Sequence, residues 1–183
     1  MEFITKNLKE IGIINIILIV AVFIARCITF PNLLAIVKVE SVIGVIGLIM
    51  GFIYAFNGYK KDDAKYYKWF MYIYAVNSLV SVIVPVLDAN KERPLTLLTI
   101  FGIINLICIC LLTFVKDFGK TKSFVSIGIV LLINVVRFIS ILFAANESNT
   151  SIITASLENL VLAIIAFMFV VCKYADKASR GAK

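Results

Sequence analysis

Apolar residues fall in six long stretches, and most of the charged residues lie between them. A run such as Ile43 to Ala55 shows none of the two-residue alternation expected of a half-buried or barrel strand. Each stretch is close to the ~20 residues that a helix needs to cross a hydrocarbon core of about 30 Å. The pattern predicts helices over about Ile11–Phe30, Ser41–Tyr59, Trp69–Leu87, Pro94–Val115, Ser123–Ala145 and Ser151–Cys172. Pro31 would stop the first helix, and Pro94 suits the first turn of the fourth. The links are short, so consecutive helices should be antiparallel neighbours. The expected fold class is all-α: a polytopic six-transmembrane-helix bundle, one integral membrane domain over residues 1–183 with no soluble domain.

Composition strengthens this expectation. Of 183 residues 62% are hydrophobic, and mean hydropathy is +1.03. A soluble domain has too little polar surface to cover so much apolar side chain. The first apolar stretch is long for a signal-peptide core and reads as a retained helix. The net charge of +7 is explained by where the basic residues lie. If the N-terminus is placed inside, the inner segments hold Lys6, Lys9, Lys60, Lys61, Lys65, Lys68, Lys116, Lys120, Lys122, Lys173, Lys177, Arg180 and Lys183. The outer segments hold only Lys38, Lys91 and Arg93, a bias of thirteen to three. Basic residues in short loops are retained in the cytoplasm, so both termini are expected inside. The preference for Ile, Lys, Asn, Phe and Tyr suits an AT-rich bacterial genome, and the expected location is the plasma membrane.

Aromatics crowd the link between helices two and three: Tyr54, Tyr59, Tyr66, Tyr67, Trp69, Tyr72 and Tyr74. Two readings stand there, an interfacial belt and a lysine–tyrosine surface for anionic lipid headgroups. The bilayer is the expected partner, with a protein partner or a homodimer as a further expectation and no nucleic acid. The basic turns begin at Lys60, Lys116 and Lys173, 56 and 57 residues apart, and Asn77 and Asn134 are 57 apart. Three tandem hairpins would give this period, and so would any six similar helices with short loops.

Candidate chemistry rests on the polar residues inside the apolar stretches. Arg137 on helix five and Glu158 on helix six lie at matched depth, roughly 11–13 Å from their outer ends at about 1.5 Å per residue. A lone charge at the bilayer centre costs about 2.5–3.5 kcal/mol on insertion scales, and pairing offsets this. An Arg137–Glu158 pair is therefore expected, either fixing helix register or forming a site or gate. Asn134 and Ser140 flank Arg137 at helical spacing, and Thr154 and Asn159 accompany Glu158. Arg26, near the outer end of helix one, either snorkels to the headgroups or joins the cluster. Asn77, Ser81 and Asn105 read as interhelical glue or as the lining of a polar cavity. Gly44, Gly47, Gly51 and Ala55 form a small-residue stripe suited to close helix contact, within the bundle or in a dimer.

No histidine is present, and the four cysteines form no CxxC pair, so metal and redox sites have no support. Nucleotide-binding and hydrolase motifs are absent, and neither an enzyme nor a cofactor is expected. Size, six N-in helices, basic cytoplasmic turns and the Ala21-xxx-Ala25 spacing broadly resemble the substrate-binding subunits of energy-coupling-factor vitamin transporters. That resemblance implies a carrier or a substrate-binding membrane subunit. The other expectation is a membrane interaction, regulatory or immunity-type protein that transports nothing.

Overall fold

A computed structural model describes residues 7–32, 35–57, 64–87, 97–115, 118–144 and 150–180. Among them the chain is helical throughout: α1 (Leu8–Thr29), α2 (Ala35–Phe56), α3 (Ala64–Leu87), α4 (Leu97–Phe114), α5 (Lys120–Ala144) and α6 (Thr150–Arg180). By length and composition α1, α2, α5 and α6 can each cross a membrane. The apolar stretch of α4, Thr99–Phe114, is shorter. The Lys6, Lys60, Lys61, Lys91, Arg93, Lys116 and Lys183 placements and the Pro94 helix start lie outside the described residues.

The helix ends follow local chemistry. Phe30 donates its backbone N–H to Arg26, and Pro31 falls in a 3-10 turn, Phe30–Asn32, that closes α1. Between α4 and α5, Gly119 has φ 81°, a left-handed conformation that a side chain would strain. Its carbonyl then accepts the Ser123 hydroxyl at 2.8 Å, in the first turn of α5.

Three ends depart from the sequence expectation, one of them the start of α3 at Ala64, ahead of Trp69. α2 begins at Ala35, ahead of Ser41, which brings Glu40 inside a helix. α6 continues past Cys172 to Arg180. The segment beyond Cys172 is rich in Ala, Lys and Arg, which favour helix, and its basic residues suit a helix C-terminus. Apolar patterning marks the edge of hydrocarbon rather than the end of the helix.

Each helix packs on the next in sequence, and α6 closes the ring against α1. α6 also touches α2 and α3, so it is the most enclosed element. Of its Ile152–Tyr174 stretch 72% is buried, against 28% for Glu10–Thr29 of α1. Large exposed apolar side chains cover the other helices, as with Ile13, Ile17, Ile24 and Ile28 on α1. A contiguous apolar exterior around a packed interior is what a bilayer accommodates and water does not. The chain is thus a helical protein suited to a membrane.

The α2–α6 seam sets the register. A side chain at Gly47 would approach Leu162 to 2.9 Å, and one at Gly51 would overlap Ile165. Gly44 lies against Glu158 in the same way. Residues 44, 47 and 51 thus face 158, 162 and 165 in order, so the two helices run parallel. Small residues at this spacing bring two backbones close.

Candidate functional site

The two ends of this seam differ in chemistry. Toward the C-terminus of α6 the contacts are aromatic. Tyr54 stacks on Phe169 with ring centroids 3.8 Å apart, and Phe70 lies 5.0 Å from the same ring. Tyr174 meets Ser123 at 3.0 Å through their hydroxyls, and Lys173 sits 4.9 Å above the Tyr67 ring. All these groups pack or pair.

Toward the N-terminus of α6 the interior is polar, and all six helices contribute. Arg26 of α1 donates from Nε to Oε2 of Glu158 on α6, and both side chains are at most 2% exposed. Glu40 of α2 accepts the Ser81 hydroxyl of α3 at 2.5 Å. Arg137 of α5 feels the charge of Glu40 and lies near the Tyr74 hydroxyl of α3. Asn105 of α4 completes the layer. Two arginines and two glutamates therefore share one stratum, with Arg137 half-buried and the other three buried.

Two chains of amides run through it, and each has a fixed direction. The Asn159 amide faces the Ala155 carbonyl at 3.1 Å. A carbonyl only accepts, so the facing atom is Nδ2. Asn159 Oδ1 is then an acceptor and takes Asn77 Nδ2 at 2.9 Å. This turns Asn77 Oδ1 away, toward Gly44 and the Glu158 carboxylate. On the other side Asn134 Nδ2 donates to the Val130 carbonyl at 2.8 Å and to Asn105 Oδ1 at 2.9 Å. Asn105 Nδ2 continues to the Ser78 hydroxyl at 3.3 Å.

Among the described residues, seven buried side-chain atoms have no hydrogen-bond partner: Arg26 Nη1, Ser41 Oγ, Tyr74 OH, Asn77 Oδ1, Arg137 Nε, Ser156 Oγ and Glu158 Oε1. All lie at the polar end of the bundle. Buried polar groups are normally paired, and each unmade bond costs about 1–3 kcal/mol, more when the group is charged.

Several sequence expectations meet here, with changes. Glu158 pairs with Arg26, not with Arg137. The reason is packing: α6 closes the ring against α1, and Gly44 leaves room for the carboxylate. Arg26 is 1% exposed and so does not snorkel. Ser140 is exposed and lies outside the layer. Thr154 is buried but donates to its own helix, to the Thr150 carbonyl at 2.7 Å. Asn134 and Asn159 are buried and anchor the two amide chains. Ala55 is buried on α2, whereas Ala21 of the small-residue pair on α1 is exposed.

Sequence reasoning missed Glu40, Ser41, Ser78 and Ser156 and took Tyr74 only as a belt aromatic. A signal for Glu40 was present. It precedes Gly44, Gly47 and Gly51 at spacings of four, three and four residues, the continuation of one helical face. Among the described residues no group of His, Cys, Asp or Glu is placed to hold a metal ion.

The chain matches no protein-family model, and neither the curated proteins nor the solved structures yield a relative.

Proposed function

We propose that this chain is a six-span protein of the bacterial plasma membrane that binds a small polar solute between its helices. It acts as a carrier or as the substrate-binding subunit of a transporter, with both termini cytoplasmic. The observation that carries this reading is the set of buried polar atoms without protein partners, gathered at one end of the bundle. A bundle that only had to be stable would pair such groups or replace them with apolar ones. Ionisable groups inside membranes mark substrate or ion pathways more often than structural cement. The polar layer lies toward the end that the lysine bias assigns to the outside, where a captured solute would enter. Binding and passage need no catalytic group, and no enzymatic step is part of this reading.

Two experiments test it. Cysteine labelling from outside should reach a cysteine introduced at Asn90 and not one at Asp63, and the reverse pattern would overturn the orientation. The purified protein should be stabilised against heating by at least one class in a panel of small cations, anions, neutral polyols and zwitterions. Stabilisation by none of them would favour the interaction or regulatory protein that transports nothing.

A further inference from the structure

The seven unpartnered atoms are not a random set. Glu158 Oε1 and Asn77 Oδ1 accept, Arg26 Nη1 and Arg137 Nε donate, and the Ser41, Ser156 and Tyr74 hydroxyls can do either. Glu158 Oε1 and Asn77 Oδ1 both lie against Gly44, and neither has a donor. The direction of the Asn77 amide is fixed by its chain to the Ala155 carbonyl, so this atom is an oxygen. With Glu158 ionised beside Arg26, two buried acceptor oxygens facing one point repel each other unless a hydrogen-bond donor or a cation sits there. The Ser41 hydroxyl, one helical turn before Gly44 on α2, is a third unpartnered oxygen. Glu158, Asn77 and Ser41 are each 1% exposed. α2, α3 and α6 thus build an acceptor lobe.

A donor lobe lies one turn away along the same face of α3. Arg137 Nε is an obligate donor without an acceptor, and the Tyr74 hydroxyl lies near it, beside the Asn105 and Asn134 amides but in hydrogen-bond geometry with neither. Tyr74 precedes Asn77 by three residues, about 4.5 Å along the helix. One turn of α3 therefore separates the donor lobe from the acceptor lobe. Arg26 Nη1, beside Glu158, is a further unpartnered donor.

Charge narrows the ligand. Arg26 and Arg137 balance Glu40 and Glu158, and Lys38 lies over the Phe30 ring, 5.7 Å from its centre. A lone cation or a lone anion would leave an uncompensated charge in low dielectric. A zwitterion or a neutral polar solute would not, and of the two only the zwitterion meets the unpartnered carboxylate oxygen of Glu158 and the unpartnered guanidinium nitrogen of Arg137 with opposite charges. Resting on the binding function just proposed, we infer that the polar layer takes a small zwitterion bearing a primary ammonium and a carboxylate. Glu158 Oε1, Asn77 Oδ1 and Ser41 Oγ accept its N–H groups, and Arg137 Nε and the Tyr74 hydroxyl donate to its carboxylate.

The test uses the full chain in detergent at neutral pH and constant ionic strength. Probes are glycine, alanine, leucine and γ-aminobutyrate, compared with glycine betaine, methylammonium chloride and sodium acetate. At least one amino acid should raise Tm, by roughly 3–6 °C at ten times its Kd. Glycine betaine has a carboxylate but no N–H donor, so it should give no shift, and neither should the two separate ions. Ser41→Ala and Tyr74→Phe each remove a hydroxyl with no protein partner, so both should fold as well as the parent. Each should weaken the amino acid by about tenfold or more, the loss of a hydrogen bond to a charged group. Ser140→Ala, on the exposed face, should leave the shift unchanged. Stabilisation by betaine, by a single ion or by a polyol in place of amino acids would overturn the zwitterion while leaving a binding function intact. No stabilisation by any solute would remove both. A shift that survives Ser41→Ala and Tyr74→Phe at full size would place the ligand elsewhere and overturn the assignment.

Discussion

The two halves of α6 are built by opposite rules. From Leu162 to Tyr174 the helix presents apolar and aromatic side chains, and the groups against it are matched: Gly47 to Leu162, Gly51 to Ile165, Tyr54 to Phe169, Ser123 to Tyr174. From Thr154 to Glu158 the same helix meets charges and amides, and atoms of Glu158, Asn77 and Ser156 are left without partners. One half is optimised for contact. The other keeps hydrogen-bonding capacity that its own fold does not use. Natural proteins break packing rules at functional sites and compensate elsewhere. Here the compensation lies one or two turns along the same helix, where the parallel α2–α6 seam is tight enough to hold an imperfect polar layer in place.

This contrast can be broken from either side. The largest effect should come from Glu158→Gln, which leaves Arg26 as an unpaired charge in the interior. The expected loss is about 3–5 kcal/mol, read as loss of expression or as a lower melting temperature in detergent. Gly51→Leu attacks the apolar half by overpacking against Ile165. It should destabilise by about 1–3 kcal/mol in the same assay, and unchanged stability would mean the seam is loose. Tyr74→Phe should have the smallest effect without ligand, within about 0.5 kcal/mol of the parent or slightly stabilising, because its hydroxyl has no protein partner to lose. A loss of more than about 1 kcal/mol there would mean that the hydroxyl is paired and the polar half is ordinary packing.

Much of the fold was legible in the sequence because its cause is one-dimensional. Apolar runs bounded by charges mark helices and the links between them, and in α1, α2, α5 and α6 the runs are long enough to cross hydrocarbon. The glycine face of α2 was visible for the same reason, since Gly44, Gly47 and Gly51 sit at helical spacing whatever they touch. Which charges meet was not legible. Arg137 and Glu158 were matched by depth and by adjacent helices, yet Glu158 turned to Arg26, more than a hundred residues away in sequence. Depth is read along one helix axis, but pairing depends on rotation about that axis and on how the ring closes. Glu40 was hidden because the unbroken apolar pattern marks a helix only from Ser41, whereas α2 begins at Ala35. A helix can begin in the headgroup region and carry a carboxylate inward when a serine, here Ser81, receives it.

Ring closure between α1 and α6 sets the electrostatics of the polar half, with Arg26 as the partner of Glu158. A double-mutant cycle measures this directly. Stability in detergent would be compared for the parent, Arg26→Gln, Glu158→Gln and the double variant, and again with Arg137→Gln in place of Arg26→Gln. The Arg26–Glu158 cycle should give a coupling energy of about 2–3 kcal/mol, with the double variant recovering part of each single loss. The Arg137–Glu158 cycle should give less than about 0.5 kcal/mol, the range of independent sites. A large coupling for Arg137 and none for Arg26 would contradict the closure of the ring and the site built on it.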